Sequence, residues 1–370
     1  MLSKFKVSNF KSFNKDFSFD LTETNGYNFN TECIKNGVVN TALVYGHNGV
    51  GKSNLGLAIF DIIEHLTDSN KNESEYLVYQ NAYSNSTEAE FCYEFLINSK
   101  KVSYQYRKTD YKTITYEKFS IDGEELALID RSLSDVASIR FNGAQNLKNE
   151  VKNAELSILK YIKNNTELED DANNTTFLDF FNFIDGMLFF RSLQKNQYLG
   201  LELGNINVQQ HFVEQDDVKD FESFLNKAGI ECQLKVVDVL DKKTLVFDFN
   251  GTFLPFSSVA SQGTKSLMLF YYWFRMVKNN KVSFLFIDEF DAFYHHELSA
   301  LIVQELIRTG VQFVLTTHNT SIITNDLLRP DCYFLINKDS IRSLSKSTSK
   351  ELREAHNIEK MYKAGSFYGQ

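Results

Sequence analysis

The octapeptide Gly46-His-Asn-Gly-Val-Gly-Lys-Ser53 directly follows the apolar run Thr41-Ala-Leu-Val-Tyr45. An apolar strand that ends in a glycine-rich turn and feeds a helix is the local structure a phosphate-binding loop requires, because free backbone N–H groups then surround a phosphate. Gly46, Gly49 and Gly51 let the main chain curl without side-chain clashes. Lys52 is placed to reach the β- and γ-phosphates, and the Ser53 hydroxyl to sit on Mg²⁺. His47, Asn48 and Val50 complete the loop and Asn54 stands in the first turn of the helix, so residues 46–54 are expected to hold ATP. A strand, this loop and a helix in succession commit the chain to an α/β core.

The rest of the composition permits such a core. The 370 residues suffice for one large domain with an insertion, or for two domains. Apolar residues make up 43% and charged residues 24%, within the range of water-soluble globular chains. Phe is abundant at 33 residues and Pro occurs only twice, at Pro255 and Pro330, so long elements are expected. No apolar stretch reaches the length of a membrane span, and the start MLSKFKVSNF lacks a signal-peptide core, so a cytoplasmic protein is expected. Cys33, Cys92, Cys232 and Cys332 show no zinc or disulfide spacing. The net charge of −9 argues against a surface that binds nucleic acid throughout. It leaves room for local basic groups, such as Lys100, Lys101, Arg107, Lys108 and Lys112.

Patterning divides the chain in three. Residues 1–130 read as strands, with a helix from Lys52 to about Leu66 and an antiparallel meander turning at Asn98-Ser99 and Asp122-Gly123. Residues 131–229 read as a helical insertion lobe, including a Phe-rich helix from about Thr176 to Lys195 and another from Val213 to Lys227 that Gly229 would end. Residues 230–370 open with two strands joined by the turn Asp241-Lys-Lys243. They then alternate strand and helix, which predicts a parallel sheet flanked by helices.

Three further motifs fit a nucleotide machine. Val282-Ser-Phe-Leu-Phe-Ile-Asp-Glu289 is an apolar strand ending in two acids, at the end of a strand where α/β sheets place ligands. Asp288 is expected to hold Mg²⁺, and Glu289 to orient and deprotonate the attacking water. Val311-Gln-Phe-Val-Leu-Thr-Thr-His318 is a second such strand, and His318 is expected to hydrogen-bond the γ-phosphate. Ser261-Gln-Gly-Thr264 opens an apolar helix, where free N–H groups and the helix dipole favour an anion at Ser261, Gly263 and Thr264.

The four motifs, in this order, resemble the ABC ATPase superfamily, and specifically its SMC-like and OLD-like branch. Phe5-x-Val7-x-Asn9-Phe10-Lys11-Ser12-Phe13 is similar to that branch's first strand, and Ser261-Gln-Gly263-Thr264 to its shortened signature motif. Phe290, not Pro, follows Asp288-Glu289, and Asp291 to His296 resembles a D-loop with its histidine at His295. Leu328-Arg-Pro-Asp331 and the tail Ala355 to Gly365 resemble ATPases of bacterial abortive-infection and anti-phage loci, of the RloA kind. The resemblance implies an ABC-type P-loop core that hydrolyses ATP with Mg²⁺. It also implies a homodimer or higher homo-oligomer closed around ATP, the loop of one copy meeting the signature of another. It further implies a Q-loop glutamine at the metal, for which Gln80 is the nearest candidate.

With no Toprim-like nuclease motif after the His318 unit, a sensor or scaffold acting on a separate effector, a nuclease or toxin, is expected. The alternative is an SMC- or RecF-like DNA-repair ATPase, in which the Lys100–Lys112 group would contact DNA. A transport ATPase fits less well, because the signature departs from the transporter form and no membrane span is present.

Overall fold

A computed structural model describes residues 1–68, 73–191, 197–200, 208–214, 217–239, 242–292 and 294–367. Asp241, Lys195 and Phe293, which fall within the expected turn, helix and D-loop, lie outside the described residues.

The first of two seven-stranded sheets is the antiparallel meander. Strand Ala89–Ile97 buries every second residue, so Phe91, Tyr93 and Phe95 face the core while Glu90, Cys92 and Glu94 lie on the other side. That period of two is what an antiparallel sheet with one covered face demands. It pairs with Leu2–Ser8 on one side and Lys100–Lys108 on the other, and Ile114–Ile121 and Glu124–Asp130 follow in order. The turns fall at Asn98-Ser99 and Asp122-Gly123, and all four residues have positive φ, the conformation tight hairpins require.

The second sheet is the nucleotide-type core. Its five inner strands are parallel in the order Met187–Arg191, Phe284–Asp288, Gln312–Thr317, Thr41–Tyr45 and Tyr333–Ile336. Gln197–Gly200 and Ile341–Ser343 close its edges in antiparallel fashion. In the first four of these parallel strands every residue is buried, as strands covered on both faces are. Helix Lys52–Phe60 packs closely on the sheet at Gly56, where an added Cβ would come within 2.8 Å of the Phe286 ring. The helix after the signature, Gln262–Lys278, buries Leu267 through Phe274 without a break, as its all-round apolar character requires. The α/β core expected from the sequence, with strand, phosphate loop and helix in succession, is therefore present.

Two expectations need correction. The helix expected from Lys52 to Leu66 is two pieces, Lys52–Phe60 and Ile63–Leu66. More consequentially, residues 131–229 are not a purely helical lobe. The Phe-rich helix is Ala172–Asp185, and the chain then becomes strand Met187–Arg191 of the central sheet, paired with Phe284–Asp288. Gly186 ends the helix, and the continuous apolar run Met187 to Phe190 is what a strand buried on both faces needs. The preceding helices do form a small core: Phe177 and Phe180 pack on Phe119, Phe177 also packs on Phe141, and Phe181 packs on Phe177 and Phe180. Asp171 caps the longer helix, its carboxylate accepting from the N–H groups of Asn173 and Asn174.

A third sheet of three strands, Leu234–Val239, Lys242–Phe249 and Thr252–Pro255, precedes the signature helix. Among the described residues no helix is long and apolar enough to cross a membrane.

Candidate functional site

Parallel register makes four strands end side by side. Tyr45 lies opposite Thr317, Ile287 opposite Leu315 and Arg191 opposite Asp288. The segments leaving these strands bring Lys52, His318 and Glu289 together at the carboxyl edge of the sheet, the position where open α/β sheets bind ligands.

Lys52 Nζ donates to the carbonyl oxygens of Gly46 at 2.8 Å and His47 at 3.1 Å, and lies 3.2 Å from His318 Nδ1. An ammonium can only donate, so Nδ1 accepts and the imidazole proton sits on Nε2. His318 Nε2 in turn donates to Glu289 Oε1 at 2.9 Å. The result is a continuous chain from Lys52 through His318 to Glu289. Burial pushes the Lys52 ammonium down from its ordinary pKa, against the pull of the Glu289, Asp288 and Asp291 carboxylates.

Strand Gln312–Thr317 fixes the acids. The Thr316 hydroxyl donates to Asp288 Oδ1 at 2.7 Å and accepts the Glu289 N–H at 2.8 Å. The Thr317 hydroxyl donates to Asp291 Oδ2 at 2.7 Å, and burial raises the Asp291 carboxyl. Glu289 itself has φ of +50°, a left-handed backbone that costs a residue with a Cβ about 1 kcal/mol or more. Lys11 has a φ of +46° and borders, with Gly49, a cavity beside the loop. Beside it the Ser12 hydroxyl accepts from Asn54 Nδ2 at 2.9 Å, tying the first strand's end to the start of helix Lys52–Phe60. Gly51 belongs there because its φ is +109° and an added Cβ would come within 2.8 Å of Ser12 Oγ. That cavity, of about 690 Å³, is bounded by Lys11, Ser12, Gly49, Tyr83, Lys338 and Asp339.

The Mg²⁺ implied by the motifs fits the donor set. Ser53 and Asp288 offer hard oxygens, and Asp288 Oδ2 faces Arg191 Nε at 4.0 Å, outside hydrogen-bond range. Mg²⁺ at a nucleotide site takes one or two protein oxygens and completes its shell with phosphate and water.

Ser261, Gly263 and Thr264 do not join this constellation. Ser261 caps helix Gln262–Lys278: its Oγ accepts the Thr264 N–H at 3.0 Å and lies 2.8 Å from the Thr264 hydroxyl. Ser261 and Thr264 border a separate cavity of about 830 Å³, shared with Glu222, Asp248, Phe249 and Val259. Gln80 has a different job from the one expected: its Nε2 donates to the carbonyls of Thr87 and Thr109, holding a loop to the ends of the paired strands Ala89–Ile97 and Lys100–Lys108. The residue opposite Asp288 is instead Arg191, which no motif pointed to. His295 is exposed and caps helix His296–Thr309, its Nδ1 accepting from Leu298 N–H at 3.3 Å.

The basic group expected to meet DNA is largely neutralised. Lys101 pairs with Glu94 at 2.9 Å, and Arg107 lies 3.8 Å from Glu90. Lys108 is fully buried against Asp61 at 2.7 Å, with the Tyr79 and Tyr106 hydroxyls donating to the same carboxylate.

Residues 42–324 match the family described as "AAA domain, putative AbiEii toxin, Type IV TA system". The chain belongs to this family. Membership and fold are those of an AAA-type ATPase domain. No curated protein matches the chain. Among solved structures it is similar to the SMC head domain from Thermotoga maritima, with 14% identity and a TM-score of 0.44 over 92% of this chain and 98% of that one. It is also similar to an Smc head domain with an extended coiled coil bound to the C-terminal domain of ScpA, derived from Pyrococcus furiosus. There the identity is 13% and the TM-score 0.46, over 93% of this chain and 96% of that one.

Proposed function

We propose that this chain binds and hydrolyses ATP, dimerises around it, and serves in the cytoplasm as the sensor or scaffold that controls a separate effector, a nuclease or toxin, in bacterial anti-phage defence. The observation that carries the first part is the chain Lys52–His318–Glu289, closed by bonds of 3.2 and 2.9 Å. It joins a cation for the phosphates, a histidine and a carboxylate at one point. Glu289 is the base: hydrolysis requires a carboxylate to orient and deprotonate water in line with the γ-phosphate. His318 holds Glu289 through its Nε2 proton; to meet a γ-phosphate, that one proton would have to leave Glu289. Ser53 and Asp288 would hold Mg²⁺, which neutralises charge on the β- and γ-phosphates when bound.

Dimerisation is supported by the separation of the two half-sites. The N–H groups at the start of helix Gln262–Lys278 favour an anion, yet within one chain they border a different cavity from the phosphate loop. A second copy supplies Ser261 and Gly263 to the γ-phosphate, so association depends on the charge that hydrolysis removes. The defence role is supported by the toxin system that the family's description prints. The test is light scattering of purified protein with ATP, ADP and neither. ATP alone should promote association in the wild type and fail to do so in Lys52→Ala, which should also lose nucleotide binding. Association independent of nucleotide in both proteins would remove the sandwich.

A further inference from the structure

Arg191 ends strand Met187–Arg191 with its side chain almost wholly buried. Its Nη1 donates to Glu75 Oε1 at 3.0 Å, and its Nε lies 4.0 Å from Asp288 Oδ2. A buried guanidinium is costly unless carboxylates compensate it, and here two carboxylates share one cation. The sharing is unequal: Glu75 has the hydrogen bond, while Asp288 has only proximity. Asp288 is also the acid that would hold Mg²⁺. A dication at that carboxylate and a guanidinium beside it repel each other strongly, because the site is poorly hydrated and screening is weak.

We propose that Arg191 is a positioning residue that acts as a placeholder cation. It balances Asp288 when no metal–nucleotide is bound and withdraws onto Glu75 when one arrives. This rests on the ATP-site reading above. Glu75 is suited to receive the full charge because its contact already has hydrogen-bond geometry. Its segment is also held in place by Lys11, whose Nζ donates to the Glu75 backbone carbonyl.

The arrangement demands opposite responses from the two partners. Arg191→Gln removes the competing cation, so Mg²⁺ should be taken up more readily. Glu75→Gln removes the place to which the guanidinium withdraws, so Mg²⁺ should be taken up less readily. The experiment titrates MgCl₂ into full-length protein with a fluorescent ATP analogue at fixed concentration and reads the midpoint of the Mg²⁺-dependent signal. Arg191→Gln should lower the midpoint about ten-fold, and Glu75→Gln should raise it by a similar factor. Arg191→Lys, which keeps the charge, should stay near the wild-type midpoint and serves if the Gln variant does not fold. Midpoints that do not move, that move together, or that shift in the Lys variant as in the Gln variant overturn the placeholder role alone. A wild type that binds no nucleotide overturns the ATP-site reading and this inference with it.

Discussion

Glu289 Oε1 and His318 Nε2 lie 2.9 Å apart, across the ends of two neighbouring parallel strands. The contact sets the imidazole tautomer from one side while Lys52 sets it from the other. A carboxylate held in this way is oriented before any substrate arrives.

Glu289→Gln keeps the size and a hydrogen-bonding oxygen for His318 but removes the carboxylate proposed as the base. ATP turnover should fall by about 10²–10³, with nucleotide binding retained and ATP-bound dimers accumulating. Steady-state hydrolysis and size-exclusion profiles measure both, and unchanged turnover would exclude Glu289 as the base.

Ser261→Arg places a bulky side chain at the signature helix start and removes its cap, at a cost of about 1 kcal/mol to the helix. Binding of nucleotide by the monomer should be unchanged, because the phosphate loop does not touch that cavity. ATP-driven association should be lost. Normal association by light scattering would count against a signature contributed in trans.

Lys108 and Asp61 form an ion pair with both side chains fully buried. Lys108→Met strands the Asp61 charge and should destabilise the fold by about 3–5 kcal/mol in urea unfolding. The double variant Lys108→Met, Asp61→Leu should recover part of that loss, since no unpaired charge remains. If the double variant is no more stable than the single, the pair is not the cause.

Asp171 is held below the usual carboxylate range, first by the Asn174 N–H and further by Asn142 and Asn173. A carboxyl depressed in the folded state stabilises above its unfolded value near pH 4 and loses that contribution as pH falls through the folded value. Asp171→Ala should therefore cost about 1 kcal/mol at pH 7 and progressively less below about pH 4. Thermal melts across this range would show the two curves converging in acid; parallel curves would refute the cap's charge dependence.

Local sequence carries the signals for the proposed chemistry. The phosphate loop, Asp288-Glu289 and the Thr317-His318 strand end are legible because each is a contiguous string whose function depends on backbone turns and strand ends a few residues long. The hairpin turns at Asn98-Ser99 and Asp122-Gly123 are legible for the same reason: residues that tolerate positive φ interrupt an alternating pattern. Only tertiary structure decided the rest. Met187 to Phe190 continues an apolar run that helix and buried strand produce alike, and its placement beside Phe284–Asp288 depends on pairing across a hundred residues of sequence. Gly186 was the local sign of the break. Arg191 carries no motif at all; parallel register alone puts it opposite Asp288, and Gln80 was passed over in the fold for its hold on Thr87 and Thr109. The physical reason is range. Strings encode what neighbouring peptide groups do, whereas which strands lie side by side is settled by burying apolar faces that the chain reaches from far apart.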